Sequence, residues 1–166
     1  MERLTMTEAI RERPRDGKTS SERRPQEGFE RMKLVEKISL PNQLSAEVYD
    51  QSRPISQDTV KVVFIARVKV EVKEEYFDRR EHYEMTRKMY GPEVLFEYMN
   101  VRAFVPVRDR EKVFRDFEHH FKKDSLPYIS KPQFPSRFVL SKYHDIRKNP
   151  WKYGLLPEQK VDAPGE

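Results

Sequence analysis

Thr59-Val60-Lys61-Val62-Val63-Phe64-Ile65-Ala66-Arg67-Val68-Lys69-Val70-Glu71-Val72 is the stretch that decides the fold. Val60, Val62, Phe64, Ala66, Val68, Val70 and Val72 recur at period two, and Lys61, Arg67, Lys69 and Glu71 occupy the alternate positions. Successive side chains of an extended backbone point to opposite faces, so this alternation predicts a strand over 59–72 with one face buried. Val63 and Ile65 make the first half apolar on both faces, which places it centrally in a sheet or under a helix. The charged second half is expected to project into water.

Downstream, 74–90 changes period. Tyr76, Tyr83 and Tyr90 recur every seven residues beside Phe77, Met85 and Met89, after Glu74, Glu75 and Asp78 and before Arg87, Lys88 and Gly91-Pro92. Acids at the start, cations at the end and a glycine stop are the marks of a helix. Two heptads are too few for a coiled coil, so the aromatic stripe is expected to pack on the sheet. A strand over 94–107 follows, with Leu95, Met99, Val101, Ala103, Val105 and Val107 on one face and Pro106 marking an edge or terminus. Asp109 is expected to cap a helix over 110–123, with Val113, Phe114, Phe117 and Phe121 on its apolar side.

Upstream, Met32, Leu34, Glu36, Ile38 and Leu40 alternate with Lys33, Val35, Lys37 and Ser39 as a half-buried strand over 32–40 ended by Pro41-Asn42, and residues 44–58 read as a connection with one helical turn at 45–49. The expectation is an α+β domain over 31–124, a small, mostly antiparallel sheet covered by two helices. Strands 59–72 and 94–107 can pair through a right-handed crossover or antiparallel with the helix laid across them.

The chain has 166 residues, 36% hydrophobic and 37% charged. Its mean hydropathy is −0.92. That charged fraction exceeds the usual quarter, which predicts one domain with tails outside its core. Residues 1–30 mix Arg11, Arg13, Arg15, Lys18, Arg23 and Arg24 with Glu8, Glu12, Asp16, Glu22, Glu27 and Glu30 around Pro14, Gly17 and Pro25. They read as a disordered polyampholyte arm. Neither a membrane span nor a secretory h-region is recognisable, so an intracellular, by default cytoplasmic, location is expected, with the nucleus or an organelle matrix as options.

Chemistry leaves few linear traces. The chain contains no Cys, which removes disulfides, thiolate metal sites and cysteine nucleophiles. Gly17, Gly28, Gly91, Gly154 and Gly165 are too dispersed for a phosphate-binding loop. His119 and His120 are adjacent, so on a helix they point about 100° apart and cannot share a metal. Carboxylate pairs such as Glu74 and Asp78 have arginines beside them and read as solvated ion-pair faces. No nucleophile elbow occurs. The expectation is a protein without catalysis, metal or cofactor.

The positive signal is residues 125–166, rich in proline and read as an extended basic C-terminal arm. Lys131, Arg137, Lys142, Arg147, Lys148 and Lys152 are interleaved with Tyr128, Phe134, Phe138, Tyr143, Trp151 and Tyr153, and Asp145 is the one acid from 125 to 157. Cations neutralise phosphates and flat rings stack on unpaired bases, so these residues are candidates for RNA or other nucleic-acid binding. The same pattern serves an arm that docks on a protein partner, and a third possibility is a tail that packs back on its own sheet. The function expected is an RNA-associated or ribonucleoprotein subunit of viral or organellar kind. The alternative is a structural or adaptor subunit whose arms cross protein neighbours. A short helix in the middle of this arm, with Val139, Leu140, Tyr143 and Ile146 as its apolar side, is consistent with either.

Overall fold

A computed structural model describes residues 32–155; the arm at 1–30 and the end of the chain from 156 to 166 lie outside the described residues. The β-branched run around Phe64 forms the central strand of an antiparallel sheet. The strands are β1 (Lys33–Ser39), β2 (Ser45–Asp50), β3 (Arg53–Pro54), β4 (Thr59–Glu71) and β5 (Glu93–Pro106). β4 pairs with β2 and the short β3 along one edge and with β5 along the other, and β1 pairs with β2. Every pairing is antiparallel, which settles the two options for β4 and β5.

The helices are α1 (Arg80–Tyr90), α2 (Arg110–His120), α3 (Leu126–Ile129) and α4 (Phe134–Lys148). They pack on one face only. Val62, Phe64, Ala66, Val68 and Val70 of β4 share a buried core with Val48 of β2, Val94 of β5, Val113 and Phe117 of α2, Ile129 of α3 and Phe134 and Val139 of α4. Tyr83 and Tyr90 of α1 pack against the same core. The molecule is an α+β fold of two layers. Phe64 is fully buried, its ring 5.3 Å from Phe114 and 5.6 Å from Phe121.

Several elements differ from expectation. Residues 45–49 form β2 rather than a helical turn, because Ala46 and Val48 alternate with Glu47 and Tyr49 and both are fully buried against β4. The helix expected over 74–90 is a 3₁₀ turn (Glu74–Tyr76) followed by α1, which ends where Gly91, at φ 89°, donates its N–H to Arg87. In β5 the helices pack on Val94, Phe96 and Tyr98, so Leu95, Met99 and Val101 face the other way. Asp109 stands at the N-cap of α2 but makes no side-chain capping hydrogen bond, since a 3₁₀ turn (Val107–Asp109) already leads into the helix. A π-helical turn (Phe121–Ser125) continues α2 and buries Phe121 completely. Lys122 ties it to β1, its Nζ lying 3.0 Å from Glu36 Oε1 and 2.9 Å from Glu118 Oε2.

The largest difference concerns residues 125–155. They are not an extended arm outside a 31–124 domain; α3, α4 and a 3₁₀ turn (Pro150–Tyr153) belong to the helical layer. Pro135 sits in the first turn of α4, where the missing N–H has no intrahelical partner to lose. Four large side chains of α4 are buried: Phe134, Val139, Tyr143 and Ile146. Each stabilises the folded chain by about 1.5–3 kcal/mol relative to exposure, enough to override the extended bias of the prolines.

Candidate nucleic-acid interface

α4 is amphipathic, and that separates the candidate residues into two groups. The aromatics turn mostly inward. Phe134 is 1% exposed, with Phe96 edge-on at 5.5 Å, and Phe138 stacks parallel on Phe134 at 5.5 Å. The Tyr143 ring lies under His82 at 4.5 Å and edge-on to Phe77 at 6.1 Å. Tyr153 donates its hydroxyl proton to Asp145 and meets the hydroxyl of Tyr90. These four rings serve the fold and are not available as stacking platforms for bases. Of the candidate aromatics, Tyr128, 50% exposed, and Trp151, 62% exposed, remain at the surface, on either side of α4 in the chain.

The cations turn outward. Lys131, Arg137, Arg147 and Lys148 are exposed, and among the described residues none of them has an ion-pair partner. Lys142 is half-buried, with its ammonium 5.0 Å from the centre of Phe138 and 5.9 Å from that of Tyr90. Such cation–π contacts hold it within the fold. Lys152 lies 3.0 Å from Asp145. The Asp145 carboxylate also accepts hydrogen bonds from Asn149 Nδ2, at 2.7 Å, and from Tyr153. The Tyr153, Lys152 and Asn149 donors hold the Asp145 carboxyl at about 2, and burial beside the carboxylate pushes the Tyr153 hydroxyl far up. This cluster staples the last 3₁₀ turn to α4 and neutralises Lys152.

On the water side, Arg137, Ser141, His144 and Lys148 follow one another at helical spacing, with Arg147 beside Lys148. Ser141, His144, Asp145, Arg147 and Lys148 line a shallow open depression. At 1.5 Å per residue the stripe from Arg137 to Lys148 is about 16 Å long. The C-terminal end of α4 carries about half a negative charge, which the two cations of the last turn outweigh. Ser141 and His144 were not among the sequence candidates; helical spacing from Arg137 is the signal that finds them. His119 and His120 are both exposed, and the His120 Nδ1 lies 2.7 Å from the Asp116 carbonyl oxygen.

No family model matches the chain, and neither a curated protein nor a solved structure is found to be similar to it. Among the described residues no helix is long and apolar enough to cross a membrane.

Proposed function

We propose that the chain is a non-catalytic, RNA-associated subunit that holds a phosphate backbone along the outer face of α4. The observation that supports this reading is the basic stripe of Arg137, Arg147 and Lys148, with Lys131 before it, exposed and without ion-pair partners among the described residues. The exposed Trp151 and Tyr128 supply flat surfaces for one unpaired base each. With most of the rings buried, affinity comes from phosphates, and sequence preference is weak.

A fluorescently labelled single-stranded RNA, titrated with the full chain at 50 to 300 mM salt, tests the proposal. About four phosphate contacts give a slope of log K against log salt near −3 for a single strand. The triple variant Arg137→Ala, Arg147→Ala, Lys148→Ala is expected to flatten the slope by about 2. No binding at 50 mM salt, or an unchanged slope in the triple variant, overturns it.

A further inference from the structure

The second face of the sheet is apolar in the middle and has no element packed on it among the described residues. Cross-strand partners share a face. The register therefore sets Leu34, Tyr49, Ile65 and Met99 in one row across β1, β2, β4 and β5, with Val63 and Val101 in the next row. Leu34 is 51% exposed, Met99 49%, Val101 46% and Leu95 44%, while Ile65 and Val63 between them are buried. A contiguous exposed apolar patch of this kind marks an interaction surface.

The row on the other side of Leu34-Tyr49-Ile65-Met99 selects the occupant. It reads Lys37, Glu47, Arg67, Glu97 from β1 to β5, an alternation of plus, minus, plus, minus. Arg67 Nε lies 2.6 Å from Glu97 Oε2, and Lys37 Nζ lies 3.9 Å from Glu47 Oε2. Rotation by a half-turn about an axis parallel to the strands reverses the strand order and keeps the rows. It sets Lys37 against Glu97 of a second copy and Glu47 against Arg67 of a second copy, so every charge in the row meets its opposite. The same operation sets Leu34 against Met99 and Tyr49 against Ile65. An in-plane axis across the strands opposes like charges if it runs through this row, and sets the charges against Val63 and Val101 if it runs through the Leu34-Tyr49-Ile65-Met99 row.

We infer that this face is a self-complementary interface that pairs two copies of the chain, sheet on sheet, about a two-fold axis parallel to β4. Four strands about 4.8 Å apart and some nine residues long cover roughly 600 Å² in projection. That falls somewhat short of the 800 Å² or so per partner of a standard interface, so a weak, concentration-dependent dimer is expected. The helical layers then lie outermost, and the stripe on α4 stays accessible on both copies. The inference is independent of what that stripe binds.

Sedimentation velocity of the full chain from about 1 to 200 µM is expected to show a shift from monomer to dimer, at interface sizes of this class. Met99→Lys and Val101→Lys are expected to raise the dissociation constant at least tenfold with unchanged circular dichroism. Because the chain has no Cys, single-cysteine variants report geometry directly. Facing positions of packed sheets lie about 10 Å apart, within reach of a short bis-maleimide. Leu34→Cys mixed with Met99→Cys is expected to cross-link, and neither variant alone, since three strand spacings separate each site from its own equivalent.

A chain that stays monomeric at about 200 µM, well above the dissociation range of such interfaces, overturns the inference. It does so whether residues 1–31 or an unlike protein then cover the face. A dimer indifferent to Met99→Lys and Val101→Lys overturns it too, as does Met99→Cys cross-linking with itself as well as the mixture does, which indicates pairing along the β5 edge.

Discussion

Phe134→Ala tests whether the chain beyond residue 125 is part of the fold. The ring is 1% exposed, with Phe96, Phe138 and Tyr128 at 5.5, 5.5 and 5.4 Å. Burying a phenylalanine removes roughly 150 Å² or more from water, and truncation leaves a cavity, so the expected loss is about 4 kcal/mol. For a domain whose whole stability is about 5–15 kcal/mol, this is a large fraction. With a urea dependence near 1.5 kcal/mol per molar, the midpoint falls by about 2.5 M. Urea unfolding of the full chain, followed by circular dichroism, measures it. Arg137→Ala, exposed on the same helix, is the control and is expected within about 0.5 kcal/mol of the parent chain. A midpoint shift below about 0.5 M for Phe134→Ala would mean that α4 is not integral to the core, since a buried ring cannot be removed so cheaply.

Two further outcomes follow from the hydrogen bonds. Asn42 Nδ2 donates to the carbonyls of Ile129 and Lys131, both at 2.9 Å, and its Oδ1 accepts from Leu44 N–H, so one side chain clasps the β1–β2 turn to α3. Asn42→Ala is expected to cost about 2 kcal/mol and to speed amide exchange around residues 129–131; exchange unchanged there refutes the clasp. Asp145 is ionised more readily in the folded chain, at about 2 against an ordinary 3.8, so its contribution is full above pH 3.8 and fades as pH falls towards 2. The melting difference between the parent and Asp145→Asn is therefore expected to shrink across that window, and a difference constant from pH 5 to pH 2 contradicts it.

The strand from Thr59 to Glu71 was legible because a period of two, with valine at most apolar positions, has one physical reading. β2 was not, since six residues give only Ala46 and Val48 as its buried face. The basic aromatic segment illustrates a different limit. Pro127, Pro132, Pro135 and Pro150 suggest an extended chain, yet in the fold they occupy helix starts and turns, where a missing N–H costs little. Interleaved rings and cations looked like a binding pattern. They are in large part the two sides of one helix, and only burial separates Phe134 and Tyr143 from Arg137 and Arg147. The second sheet face was half visible in Val63 and Ile65, which required cover; that none of the described helices would supply it depended on where α1, α2 and α4 pack, which the linear pattern does not encode.

The position of α4 in the chain has a consequence for synthesis. The strand whose inner face it covers is complete by residue 71, but Phe134, Val139 and Ile146 arrive more than sixty residues later. Until then a nascent or prematurely terminated chain presents a valine-rich sheet with part of its helical roof missing and its second face already open. Such an intermediate is a template for aggregation. Errors that end the chain before α4 are therefore expected to yield insoluble fragments instead of partly working ones.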